Sequence, residues 1–367
     1  MRAMTRRHRT RSGGATTRAE LPKATRVEPG RFLYTCRAGF EGDLLDDLAR
    51  HGPRERAAVL GPALVVSERE PKLEAGRIDL IFARQGMRVT DVIEGADLAA
   101  RAAASVTRAV PRGRPFALHV WVPDTDTSNK LASSAQALFA AVAAELTRSA
   151  AELASRRVSA EVARREGGML VQICLLDRTR AIVGAVDATV ALSLAPGGRE
   201  RMRVPPDAPA RSAMKLAEAF SWLGMGPEAG EICVDLGAAP GGWARVLLER
   251  RARVVAIDPA ELAPEIAKLR GVTHLKASAF DYAPDEPVDW LVCDMAWRPL
   301  EVAALVAKWG RKRWARALVL NVKLPMKRKI ETLERVRDTI AEGGWQDIRM
   351  RHLYHDRDEI TLTAWRR

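Results

Sequence analysis

The stretch Ile232-Cys-Val-Asp235-Leu-Gly-Ala-Ala-Pro-Gly-Gly-Trp243 decides the fold. Its first five residues, Ile232–Leu236, read as a short buried strand, and the helical spacing of apolar residues resumes over Trp243–Arg250. Between them lies a turn rich in glycine, which bends sharply and lets a ligand approach the backbone. A second apolar run, Arg253–Ile257, ends at Asp258, 21 residues beyond Gly237. A carboxylate at that place accepts hydrogen bonds from two ribose hydroxyls. Strand, glycine turn, helix, strand and acid together predict the nucleoside-binding half of a doubly wound α/β sheet.

The turn is not a pyrophosphate cradle. It lacks the G-x-G-x-x-G spacing, inserts Pro240, and carries no Lys-Ser/Thr pair for a nucleotide triphosphate. A nucleoside without phosphate fits better, and S-adenosylmethionine is one. A purely structural turn is the alternative. The same alternation continues to the C-terminus. Trp290–Cys293 reads as a strand ending at Asp294, Pro299–Lys308 as a helix, and Ala317–Val322 as a strand ending at Lys323. Ile330–Ala341 is helical, and strands near Gln346–His352 and Glu359–Ala364 close the domain. Ser212–Gly224 precedes it as a helix stopped by glycine. A parallel, doubly wound sheet binds ligands beyond its strand carboxyl ends, and Asp258, Asp294 and Lys323 all fall there.

The first half is less regular. Strands at Arg31–Cys36, Ala57–Val66, Arg77–Val89, Phe116–Val122, Met169–Leu176 and Ala181–Leu194 mix with helices at Phe40–Arg50, Asp97–Val110 and Ser128–Ala154. Without strict alternation this is an α+β region, read as a subdomain over 31–90 and a second unit over 91–194. A linker follows at 195–211, with four prolines and four arginines. Residues 1–30 read as a basic tail. Its first 26 residues hold seven Arg, Lys23 and one acid, and so supply about half of the net charge of +13 carried by the 367-residue chain. The tail has no apolar stretch of the kind a secretory signal needs; RNA contact and an inert solvated extension are both open readings. No apolar run approaches the roughly 20 residues of a membrane span. The four cysteines, at 36, 174, 233 and 293, are scattered in apolar surroundings. This fits buried thiols in a reducing cytoplasm, with neither disulfides nor a metal site expected.

Several stretches carry a resemblance. Asp235–Trp243, Val288-Asp-Trp-Leu-Val-Cys-Asp-Met295 and Asn321-Val-Lys-Leu-Pro-Met-Lys327 resemble the bacterial large-subunit rRNA 2′-O-ribose methyltransferase M family. So do Tyr34-Thr-Cys-Arg-Ala-Gly-Phe-Glu41, Leu80-Ile-Phe-Ala-Arg-Gln85, Asp124-Thr-Asp-Thr-Ser-Asn-Lys130 and Leu353-Tyr-His-Asp-Arg357. The resemblance runs from residue 31 to the end. It implies a Rossmann-like class I methyltransferase domain over 212–367 and an RNA-binding THUMP domain over 91–194. It implies S-adenosylmethionine as donor, and as target a cytidine in the peptidyl-transferase region of 23S rRNA. It further implies a cytoplasmic monomer with no membrane and no DNA partner. The donor site it implies comprises Ser212, Gly237, Ala239, Pro240, Gly241, Gly242, Trp243, Asp258, Ser278 and Asp294. The family has an acid where this chain has Ser278; the adenine contact then falls to the Ser278 hydroxyl or to Asp281.

The resemblance also implies a catalytic set of Lys215, Asp294, Lys323 and Glu359. The residue types suit the chemistry. Methyl transfer from a sulfonium is an in-line displacement, so the acceptor oxygen needs a base and exact positioning. A lysine near its ordinary pKa of about 10.4 is mostly protonated at neutral pH and must be tuned down to act as one. We expect Lys323 to be the base, with the Lys215 ammonium lowering its pKa, Asp294 opposing that, and Glu359 orienting Lys215 or the ribose. Cys293 lies inside an apolar strand and makes a poor nucleophile. Trp297 either stacks on a displaced base or belongs to the core. Arg201, Arg203, Arg211, Lys312, Arg313, Arg328 and Lys329 are candidates to hold the RNA backbone. The rival to an enzyme is an RNA-binding assembly factor on a methyltransferase scaffold that has lost turnover.

Overall fold

A computed structural model describes residues 21–51, 56–68, 73–74, 77–202 and 212–366. Most of the basic tail, together with Arg203 and Arg211, lies outside them. In the C-terminal half the alternation of short apolar strands and amphipathic helices builds one seven-stranded sheet. Its strands are β1 (Ile232–Leu236), β2 (Arg253–Ile257), β3 (Val272–Leu275), β4 (Val288–Cys293), β5 (Ala315–Lys323), β6 (Gln346–Arg351) and β7 (Glu359–Trp365). The spatial order is β3-β2-β1-β4-β5-β7-β6. The five strands β1 to β5 pair parallel. The expectation of a wholly parallel sheet needs correction, because β7 runs antiparallel between β5 and β6. The β6–β7 connection is a short loop with no crossover helix, and only an antiparallel return is open to such a loop. β3 was not foreseen, since its half-exposed Val-Thr-His-Leu carries little apolar signal.

Five helices flank the sheet: α1 (Ala213–Leu223), α2 (Gly242–Glu249), α3 (Pro264–Ala267), α4 (Pro299–Arg311) and α5 (Lys329–Glu342). α1 stops at Gly224, whose φ of 70° suits glycine. Leu216, Phe220, Trp243 and Leu247 of α1 and α2 pack on one face with Trp290. Val306, Trp309, Leu333 and Val336 of α4 and α5 cover the other. Order reverses at β1: the chain passes to β2 on one side and to β4 on the other. That switch point opens a crevice at the carboxyl edge, and both the glycine turn and Asp294 stand on it.

The first half forms a second seven-stranded sheet. Its order is Ala57–Gly61, Leu64–Ser67, Phe32–Thr35, Gln85–Glu94, Arg180–Asp187, Met169–Leu175, Phe116–Trp121. The boundary expected near residue 90 falls inside Gln85–Glu94. That strand pairs with Phe32–Thr35 through residues 85–88 and with Arg180–Asp187 through residues 88–94. Residues 21–30, read as tail, instead run against this sheet, where Ala24 and Val59 exchange backbone bonds with neighbours and the Gly30 amide donates to Val89. The long helical run divides into Asp126–Asn129, Ala132–Ser149 and Ala151–Ala154, and the last strand ends at Asp187, short of Leu194.

The two halves share a core. Tyr34, Phe40, Leu44 and Phe82 belong to the same buried cluster as Met350, Ile360 and Leu362. His352 is fully buried there, with ring centroids 4.5 Å from Phe40 and 5.8 Å from Phe82. Asp47, also fully buried, fixes the segment that reaches across. It accepts the Ile81 amide at 2.6 Å, the Phe82 amide at 2.8 Å and Arg50 Nε at 2.9 Å. Asp47→Ala strands two buried amides and a guanidinium. We expect it to cost about 3 kcal/mol, measured as a lower urea midpoint.

Candidate active site

At the end of β1 the turn is shaped by backbone demands. Gly237 has φ 77° and Gly241 φ 111°, both in the region that favours glycine. A Cβ on Gly237 would stand 2.8 Å from Met295 Cγ, and one on Gly241 would stand 2.9 Å from Ile266 Cγ2. Leu236 pairs with Cys293 across the β1–β4 ladder, which brings Asp294 beside the turn. Gly242 opens α2, and Pro240 precedes it through a cis bond with Ala239. Trp243 is buried beneath, its indole N–H donating to the Ser212 carbonyl at 3.0 Å. Trp243 therefore ties the turn to the start of α1.

Asp258 closes the other side. Its two oxygens accept the Ala239 amide at 3.0 Å and the Ala260 amide at 2.8 Å. The carboxylate is thereby fixed, with lone pairs left for ribose hydroxyls. Between Asp258 and Asp294 lies Asp235, which sequence reasoning used to mark the turn and did not assign to the site. It is buried, and its carboxyl lies close to the Ala244 amide in the first turn of α2. Burial, then the nearby Asp294 and Asp258, push its carboxyl up to about 8. A buried acid beside a fixed carboxylate with free lone pairs suits a ligand that brings both hydroxyls and a cationic amine, as S-adenosylmethionine does. Ser278 Oγ accepts the Phe280 amide at 3.2 Å and keeps its own proton to donate, whereas Asp281 is exposed.

The four proposed catalytic residues meet in one ring. Asp294 reaches Lys215 at 3.3 Å through one oxygen and Lys323 at 3.1 Å through the other. Glu359 pairs with the same two ammoniums, Oε1 with Lys215 and Oε2 with Lys323. Charge alternates around the ring, two cations and two anions. The β5–β7 register creates half of it by setting Lys323 opposite Glu359. Asn321, two pairs inward, donates to Asp294 at 3.4 Å and accepts from Thr361 at 3.1 Å.

The expected tuning of Lys323 is reversed in this resting arrangement. Burial favours the neutral amine, yet Asp294 and Glu359 outweigh it and hold the pKa above the ordinary lysine value. At 4 Å each opposite charge is worth about 4 kcal/mol at an effective dielectric near 20. Two carboxylates stand between Lys323 and the Lys215 ammonium. The same cations, despite burial, hold Glu359 below its usual value.

Other candidates separate. Cys293 is fully buried and burial pushes its thiol up to about 12. Trp297 is half-exposed and therefore not core; its N–H is held by Glu301 at 2.6 Å and its ring leans on Phe280. Lys312 and Arg313 follow α4 at the start of β5, next to the Val288 end of β4. Six residues of strand, about 20 Å, separate that edge from Asp294, so they do not line this site. Lys329 is committed to Asp43 at 2.6 Å and to the Phe40 ring. Arg201 and Arg328 are exposed.

The sequence is similar to known methyltransferases. The FtsJ-like methyltransferase family matches residues 208–308. The ribosomal RNA large subunit methyltransferase M of Xanthomonas campestris pv. campestris (strain B100) is 34% identical, over 91% of this chain and 99% of its own length. That of Halorhodospira halophila (strain DSM 244 / SL1) is 36% identical, over 91% of this chain and 96% of its own. That of Thauera aminoaromatica reaches 46% identity over a shorter span, 45% of this chain and 48% of its own.

Asp258→Ala removes the fixed carboxylate. We expect the dissociation constant for S-adenosylmethionine, measured by calorimetry, to rise by about 10- to 100-fold, the worth of hydrogen bonds to a charged group.

Proposed function

This chain belongs to the ribosomal RNA large subunit methyltransferase M family, and on that premise we propose that it methylates a ribose 2′-hydroxyl with Lys323 as the general base. It is an S-adenosylmethionine-dependent rRNA methyltransferase. Our finer reading is a cytidine in the peptidyl-transferase region of 23S rRNA as acceptor. The observation that carries the reading is the closed ring of Lys215, Asp294, Lys323 and Glu359 at the carboxyl edge of the sheet.

Each member has a task. Lys323 is the most exposed of the four, at 31% against 13% for Lys215 and Asp294 and 7% for Glu359. It is the one an acceptor oxygen can reach. Asp294 and Glu359 hold its Nζ in place, and Lys215 neutralises the charge that those two carboxylates bring. S-adenosylmethionine, when bound, supplies an activated methyl on a sulfonium, whose charge favours the neutral amine. Lys323 Nζ then takes the 2′-hydroxyl proton as the oxygen becomes nucleophilic. DNA lacks that hydroxyl and is excluded as acceptor.

The first half, up to residue 194, serves in this reading as a THUMP-type RNA-binding region built on its one seven-stranded sheet, with 195–211 linking it to the catalytic domain. The described residues contain no helix long and apolar enough to cross a membrane. A monomer working in the cytoplasm, where rRNA is made and assembled, completes the proposal.

Lys323→Ala should lower the single-turnover rate by about a thousandfold while the affinity for S-adenosylmethionine moves less than about threefold. Retained turnover would place the base elsewhere. For the parent enzyme, the carboxylates hold Lys323 protonated, so the active amine grows as pH rises. Its rate should climb about tenfold per unit between pH 7 and 9; a flat profile would oppose the assignment. The modified linkage in 23S rRNA should resist alkaline cleavage.

A further inference from the structure

Three of the stretches quoted above play no part in the donor site or the ring: Leu80–Gln85, Asp124–Lys130 and Leu353–Arg357. They converge on one loop. Residues 352–358 join β6 to β7, and Glu359 of the ring follows directly. Glu218 on α1 accepts the Tyr354 amide at 2.7 Å and the His355 amide at 2.8 Å. Arg84, from the first half, donates to the Leu353 carbonyl at 3.1 Å and the Tyr354 carbonyl at 3.2 Å. Its other terminal nitrogen pairs with Asp124 at 2.9 Å, and Arg199 pairs with Asp124 at 3.2 Å and with Asn129 at 2.9 Å. The His352 amide donates to the Ile81 carbonyl at 2.7 Å. Inside the loop, Asp356 accepts the Leu353 amide at 3.0 Å and the Thr361 hydroxyl at 3.0 Å.

Glu218 and Arg84 are both buried, at 4% and 2% exposure. Burial pushes the Glu218 carboxyl up to about 7 in spite of its two amides and the Arg84 cation. Holding it there is costly, and local chain geometry alone does not require it. Glu218 lies three residues beyond Lys215 on the same helix, a spacing that shares a face. One side chain thus links the helix that carries Lys215 to the loop that leads into Glu359.

We propose that Glu218 and Arg84 are positioning residues for methyl transfer: together they clamp the 353–356 loop, so that Lys215 and Glu359 meet around Lys323 only when the first half of the chain is docked. The proposal rests on the ring being the catalytic apparatus. Misplacing a reacting group by about 1 Å costs on the order of a hundredfold in rate, so the clamp acts on the chemical step and not on donor affinity.

The test uses the full chain, S-adenosylmethionine and a 23S rRNA transcript. Glu218→Ala should lower the single-turnover rate at saturating donor and RNA by about 100-fold. Glu218→Gln keeps one carbonyl acceptor and should fall between the two, about tenfold below the parent. Arg84→Lys keeps the charge beside Asp124, loses the paired donation to the loop, and should lose about tenfold. Donor affinity by calorimetry should move less than about threefold in all three. A rate within twofold of the parent in Glu218→Gln and Arg84→Lys would overturn the proposal. So would equal losses of rate and donor affinity, which mark general damage to the fold. Should Glu218→Ala fail to fold, the Gln and Lys variants decide alone. Lys323→Ala is assayed alongside. If it still turns over, the ring reading has failed; if it is silent while Glu218 and Arg84 variants run at the parent rate, only the clamp has failed.

Discussion

Two carboxylates caught between two ammoniums constrain this molecule more than any other contact. Like charges of either sign at such spacing repel by several kcal/mol at an effective dielectric near 20. Alternation turns that repulsion into mutual support. It demands four side chains from four elements: α1, the end of β4, the end of β5 and the start of β7. The antiparallel placement of β7 beside β5 is the topological feature that satisfies it, because a parallel strand there would bring its far end to the carboxyl edge. The departure from a uniform doubly wound sheet and the closed ring of charges are thus one fact.

The glycine turn and the acid that follows it were legible because their demands are local. A strand, a glycine turn with φ values that other residues resist, and an acid 21 residues on are all written within one short span. Asp294 and Lys323 were legible as residues just past apolar strands. The pairing of Lys323 with Glu359 was not, because register between strands 36 residues apart leaves no mark in either segment. The sense of the Lys323 shift was missed for a related reason. Sequence gives which charges are present but not their order in space, and here both carboxylates intervene. Asp235 and Glu218 were passed over because a lone acid among apolar residues carries no signature of being buried.

The first half was harder. Its strands were mostly found, yet the partition at residue 90 put a boundary through Gln85–Glu94. Alternating burial along that strand reads the same whether one partner sheet or two flank it. The basic residues teach a similar lesson. Lys312, Arg313 and Lys329 look alike in sequence, but a helix running back along the sheet carries the first two to its opposite edge, and the third is tied to Asp43.

Gln85–Glu94 also sets a dimension. Ten strand residues span about 33 Å, with Phe32–Thr35 paired along one end and Arg180–Asp187 along the other, across an irregularity between Val89 and Asp91. The outer strands Phe116–Trp121 and Met169–Leu175 hang from one end of this beam, while the other end leads through Arg84 to the methyl-transfer edge. The chain thus holds its outer strands at a set interval from the ring of Lys215, Asp294, Lys323 and Glu359.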